Sequence, residues 1–302
     1  MSQRACAILA VIAAFGSVLC GPPWVAPQES GWAAVAQEAR SSNSLKTILR
    51  QVNELEAQAQ RMTLSIAQLF LGFDKESNLA RLRTAHEGFE SNFAKLNQGD
   101  ASIGLPPPSP EMLEILRDVR LAWDIHKGVG LDVIVTGEVK RTDIAIAAQL
   151  DQLVIDAAVK ARQAYQTKYL KNNLISIDVL TLIQAEEQSI RIEKMAKRLL
   201  LIAINYDVGK QREGLAASTV IFNRVLNGMI EGDTELQLIP VREPALRTEL
   251  IRSKDAWSRV QPQFKSAAKG TPTAVEDLEI IITDIEALSE STQKTLDILE
   301  KM

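Results

Sequence analysis

Five side chains with hydrogen-bonding heads stand out for their spacing. They are Arg61 in the first half of the chain and Gln188, Arg191, Lys194 and Arg198 in the second. Steps of three and four residues put the last four on one side of an α-helix. Cations grouped in this way can hold a small anion, arginine through a planar two-pronged fork and lysine as a point charge. The competing reading is structural. Long cationic side chains lay their stems along apolar surface and form salt bridges within a bundle. A glutamine at a seam position, as Gln188 is, also fixes register or oligomeric state.

Other reactive residues make no constellation. His86 falls on an apolar seam, which fits a hydrogen-bonded core histidine better than a metal ligand. His126 reads as a cap at a helix end. Glu186-Glu187 and the pair Glu54 and Glu56 offer carboxylates on helices, but no Glu-x-x-His partner accompanies them, so a di-iron site is not expected. The sequence holds no nucleophile elbow, phosphate loop or HExxH. No metal, no cofactor and no catalytic residue is expected, and the protein reads as a non-enzyme. Trp123 and Trp257 read as packing anchors at matching places.

The element that positions these residues occurs twice. Shifted by 133 residues, Gln60–Asp100 lies on Glu193–Asp233 without a gap. Arg61-Met62 falls on Lys194-Met195, Phe73-Asp74 on Tyr206-Asp207, Phe89 on Phe222 and Gly99-Asp100 on Gly232-Asp233. The matches sit at apolar and terminal positions, as expected of two copies of one structural unit.

Within each copy the apolar period is helical. Ser41 to Phe73 carries Leu45, Ile48, Val52, Leu55, Ala59, Met62, Ile66, Leu69 and Phe73 at steps of three and four, a heptad seam. A second stripe runs from Leu79 to Leu96 and stops at Gly99. After Pro106-Pro107-Pro108, a third helix spans Glu111 to His126, with a break at Gly128-Val129-Gly130. A fourth spans about Thr136 to Asn172. The pattern then restarts with Ala185 to Tyr206 and Leu215 to Met229. Two more helices follow, Leu246 to Lys269 and Thr273 to Met302. The expected architecture is all-α: two tandem up-down four-helix bundles, residues 41–172 and 173–302. The fourth helix would run on into the fifth near Asn172-Asn173 and stack the bundles end to end as an elongated rod.

Of the 302 residues, 46% are apolar and 24% charged, with a net charge of −4, so no basic face is offered to nucleic acid. Met1–Arg4 is positive and Ala5 to Leu19 apolar but short for a membrane span. Ala34-Val35-Ala36 then offers a cleavage site before Gln37. Residues 1–36 read as a signal peptide and the chain as exported to the periplasm. Ser17-Val18-Leu19-Cys20 keeps a lipid-anchored form open, and an uncleaved N-terminal anchor is the other variant. Both cysteines, Cys6 and Cys20, lie in this segment.

The run Glu187-Gln188-Ser189-Ile190-Arg191-Ile192-Glu193-Lys194-Met195-Ala196-Lys197-Arg198-Leu199-Leu200 resembles the PilJ-type module. That module is the sensory N-terminal domain of type IV pilus methyl-accepting chemotaxis transducers. Gln188 and Lys194-Met195-Ala196-Lys197 fit the family pattern, and Arg61-Met62 fits it in the first copy. A related sensor of nitrate and nitrite binds its anion with arginines on the first helix, at a dimer interface. The resemblance therefore implies a sensory, ligand-binding bundle. It also implies a small anionic ligand, a membrane receptor or periplasmic protein as partner, and a homodimer as one arrangement. The family's two arginines stand five positions apart. In the gapless register the second falls on Arg61 and Lys194, and the first on Glu56 and Ser189. Sliding the first copy by five puts Arg61 on the first and Ile66 on the second. The alternative function is a helical adaptor that docks a partner and binds no ligand. A polar cluster around Lys194 that converges in a pocket favours the sensor; one that is scattered and solvated favours the adaptor.

Overall fold

The structure, a computed structural model, describes residues 29–170 and 177–299. Eight α-helices carry these residues: α1 Glu29–Phe70, α2 Lys75–Gln98, α3 Pro110–Thr136, α4 Arg141–Leu170, α5 Ile177–Ala203, α6 Val208–Glu231, α7 Pro244–Lys269 and α8 Val275–Leu299. The all-α expectation holds, with no strand among the described residues. The chain divides into two units, Met1–Gln37 and Glu38–Met302, and the helical assembly is the second. The apolar segment Ala5 to Leu19, on which the signal-peptide expectation rests, and the Asn172-Asn173 junction lie outside the described residues.

Local chemistry sets the helix ends. The Asp74 carboxylate accepts from the Ser77 amide at 3.1 Å and caps α2. At the far end Gly99 takes φ 80°, where a side chain would be strained. Asp100 and Leu105 then exchange both backbone hydrogen bonds, at 2.8 and 2.9 Å. Asp233 and Leu238, 133 residues later, do the same at 3.0 and 2.9 Å. The tryptophans repeat as well. Trp123 stacks on Phe89 at 3.7 Å between ring centres and donates from its indole N–H to Glu90 at 2.9 Å. Trp257 sits 4.5 Å from Phe222 and donates to Asn223 at 3.1 Å. Burying each such ring contributes about 1.5–3 kcal/mol, and satisfying its N–H removes the penalty of enclosing it.

Two expectations need correction. First, α3 does not stop at His126. It runs through Gly128 and Gly130 to a left-handed Gly137 at φ 64°. At Gly130 a Cβ would stand 2.1 Å from the Met62 methyl, so that glycine is where α3 closes on α1. The packing of the two helices offsets the roughly 0.5–1 kcal/mol that a mid-helix glycine costs. His126 is therefore no cap. It is fully buried, with its ring 5.8 Å from Trp123.

Second, the copies are not stacked end to end. Asn53 donates to Glu186 at 2.7 Å, and Arg61 to Glu193 at 3.1 Å, so α1 and α5 run side by side, parallel and in register. Helix α4 lies antiparallel to both. Arg162 meets Glu56 at 3.1 Å on one side, and Asp151 meets Lys197 at 2.6 Å on the other. The cause is the second face of α1. Gln51, Asn53, Glu56, Gln58, Gln60, Thr63, Ser65 and Gln68, outside the apolar seam, are all buried. A helix buried on all but the edge that carries Glu54, Arg61 and Leu64 lies inside an assembly, and end-to-end stacking would leave its polar face in water.

Candidate functional site

Helix α5 carries the cationic run. Its apolar residues Ile192, Met195 and Leu199 are buried against the core, which turns Arg191, Lys194 and Arg198 toward one edge. The three converge in a cleft of about 490 Å³ between α5 and α6. Gly214, Ala217 and Ser218 on α6 leave the room: a Cβ on Gly214 would stand 1.6 Å from an Arg198 guanidinium nitrogen. Glu56 of α1 and Arg162 of α4 close the cleft from the first copy, and Lys210 and Glu213 reach in from α6.

The balance of charge is cationic. Five cations, Arg162, Arg191, Lys194, Arg198 and Lys210, face three carboxylates, Glu56, Glu187 and Glu213. Arg162 is committed to Glu56 at 3.1 Å and to the Asn53 side-chain oxygen at 2.9 Å. Arg191 donates to Gln188 and lies 3.8 Å from Glu187. Among the described residues no carboxylate pairs with Lys194 or Arg198. Burial pushes the Lys194 ammonium below its ordinary range. Glu56 opposes the shift, and Arg198, Lys197 and Arg191 add to it. Burial likewise lowers Arg198 and Arg191, against Asp151 for the first and chiefly Glu187 for the second. Crowded, desolvated cations in excess of the carboxylates around them are what an anion relieves.

The sequence-derived residues divide. Arg191, Lys194 and Arg198 share the cleft. Gln188 does not line it: its side chain is buried and donates to the Phe222 carbonyl at 2.7 Å, pinning α5 to α6 while its oxygen holds Arg191. Arg61 stands in a different cleft, between Glu54 at 3.2 Å and Glu193 at 3.1 Å. Although burial opposes it, those two carboxylates raise the Arg61 pKa and leave no free positive charge. Sequence reasoning missed Arg162, Lys210 and Glu56. Lys210 was within reach, because its spacing to Gly214 and Ala217 marks the α6 face turned toward α5. Arg162 and Glu56 carry no such signal, since they depend on how the copies pack. No group of three or more metal-ligating side chains occurs among the described residues.

The fold and cleft define a helical-bundle module with cations at a helix–helix cleft. Residues 39–129, from α1 into α3, match the family model of the N-terminal region of type IV pili methyl-accepting chemotaxis transducers, PilJ. That stretch is therefore similar to the PilJ module, a sensory-type domain of chemotaxis transducers. The match lies on the first copy, while the cationic cleft lies mainly on the second. No curated protein matches the chain. No described helix is long and apolar enough to cross a membrane.

Proposed function

We propose that the chain is an exported sensory protein. It binds a small anion between α5, α6 and α4 and relays the event to a membrane receptor or a periplasmic partner. Its working part is two PilJ-like modules, residues 41–172 and 173–302, that follow a signal peptide of residues 1–36. The observation that carries this reading is the convergence of Arg191, Lys194 and Arg198 in one cleft, with neither Lys194 nor Arg198 in an ion pair among the described residues.

An anion there would meet the Lys194 ammonium as a point charge and the Arg198 and Arg191 guanidinium groups as forks. Arg162, from the other copy, would draw α4 toward α5. Occupied and empty forms would then differ in the spacing of these helices, and any signal is limited by the difference in anion affinity between the two arrangements.

A thermal-shift screen of small anions, nitrate and nitrite included, on the chain from Gln37 tests the reading. A ligand at a hundred times its Kd adds about 2.7 kcal/mol of stability. A shift that Lys194→Ala abolishes supports it; no shift with any anion, in a folded protein, sinks it.

One observation favours the second reading, a docking adaptor. Leu121, Ile125 and Val135 lie exposed along α3, the last at 84%. A partner-binding helix face has this character.

A further inference from the structure

The cationic cleft is larger than an inorganic anion needs. Its volume of about 490 Å³ falls in the range of about 300–1,000 Å³ that holds organic ligands. A water molecule takes about 30 Å³ of the liquid, and nitrate or sulfate is the size of a few waters. Such an ion would leave most of the cleft to solvent.

The positive charge inside is spread along a helix. Five cations against three carboxylates leave an excess of two positive charges. Arg162 is paired with Glu56, and Arg191 lies beside Glu187. Lys210 and Glu213, three residues apart on α6, offset one another in net charge. The excess therefore rests on Lys194 and Arg198, neither of which is in an ion pair among the described residues. These two stand one turn apart on α5, about 6 Å along the axis. That spacing suits two anionic heads joined by a short chain. A single compact ion would draw both long side chains to one point, at the cost of their rotamer freedom.

The wall across from them is apolar. Gly214, Ala217 and Ile221 fall at steps of three and four on α6 and line the cleft, and Ile221 is 46% exposed. Methylene groups laid there take apolar surface out of water. The first copy differs at each of these points. A shift of 133 residues carries Gln58, Arg61 and Ser65 of its own cleft onto Arg191, Lys194 and Arg198, and Arg81 onto Gly214. Arg61 is held by Glu54 and Glu193, and Arg81 by Glu286. Of the two clefts, the second copy's alone joins unpaired cations to a wall opened by glycine.

Resting on the anion-binding reading above, we propose that this cleft is selective for a short aliphatic dicarboxylate of about the length of glutarate. One carboxylate meets the Lys194 ammonium. The other meets Arg198, whose planar fork suits it. The methylenes between them lie against the α6 wall. Extended glutarate sets its carboxylate carbons about 5 Å apart, given C–C bonds of about 1.5 Å, close to the rise between the two cations.

Calorimetric titration of the full chain with glutarate, pentanoate, sulfate and nitrate tests it. Pentanoate has the carbons of glutarate with a single charge, and sulfate has two charges and no chain. Glutarate is expected to bind as one molecule per chain and about tenfold or more tighter than the others, as for one further charged hydrogen bond. Lys194→Ala and Arg198→Ala should each bring glutarate down to about the affinity of pentanoate. Arg61→Ala, in the counterpart cleft, should leave it unchanged. Melting curves establish that each variant is folded. If sulfate or nitrate binds, is weakened by Lys194→Ala, and is matched or exceeded in affinity over glutarate, the dicarboxylate proposal is overturned while the anion site stands. Glutarate affinity unaltered in both cation variants overturns it too. Binding of none of these anions to the folded chain overturns it together with the anion-binding reading.

Discussion

Asn53 donates a 2.7 Å hydrogen bond to Glu186, its own counterpart in the repeat, 133 residues later. Equivalent positions of the two copies thus meet face to face along α1 and α5. The duplication has placed within one chain the kind of contact that two identical subunits would make across a twofold axis. Once fused, the halves are free to diverge, and the two clefts at this junction have done so in charge.

The junction is held by a buried pair. Asp151 and Lys197 meet at 2.6 Å with side chains 1% and 7% exposed. Removing one partner strands the other charge, so Asp151→Ala should cost about 3–5 kcal/mol. The double variant Asp151→Leu with Lys197→Met should recover most of that loss. Urea unfolding of the two variants measures both, and equal destabilisation by single and double variants would show that the pair is not the cause.

Gly214 makes room for Arg198. Gly214→Ala should push the guanidinium out of the cleft while gaining up to about 1 kcal/mol of helix propensity. Anion affinity should therefore fall with stability unchanged or raised. Titration paired with a melting curve checks this, and retention of full affinity would remove Arg198 from the site.

The pH dependence of anion binding follows from Lys194, whose pKa burial lowers. An anion favours the charged form, so affinity is full below the lowered pKa and is lost as pH rises through it. The decline should begin at a lower pH than for an ordinary lysine. Lys194→Arg, which keeps its charge throughout, should move the decline upward. An identical pH profile for both proteins would exclude Lys194 as the titrating group.

His126 is buried, and burial lowers its pKa, with Asp151 opposing. The unfolded chain then binds a proton that the folded chain refuses. The stability from neutral His126 is complete above the ordinary value near 6.5 and is lost as pH falls below it, toward the folded pKa. His126→Met should flatten the acid side of the stability curve. Denaturant midpoints between pH values of about 5 and 7 give the answer; an unchanged slope would place the acid sensitivity elsewhere.

Much of the fold was legible because periodicity and turn chemistry are local. Leu45 to Phe73 and the Gly99 stop could each be read in a few residues, and the repeat made every element count twice. Gly128 and Gly130 misled because their reason is tertiary: Gly130 admits Met62. The buried polar face of α1 misled more deeply. Glutamines and glutamates outside an apolar seam look solvated, yet Gln60 and Glu56 are buried. The same packing separates Arg61 from Lys194 and brings in Arg162, and neither could be read from spacing along one helix. The cluster of Arg191, Lys194 and Arg198 was legible because it lies on a single helix face.

The central claim is that the anion cleft belongs to α5 and not to Arg61. Titration of the effective anion into wild-type chain, Lys194→Ala and Arg61→Ala tests it most directly. Lys194→Ala is expected to weaken binding by about tenfold or more, as for a lost charged hydrogen bond. Arg61→Ala should bind as the wild type does. Loss in Arg61→Ala with full binding in Lys194→Ala would contradict the claim.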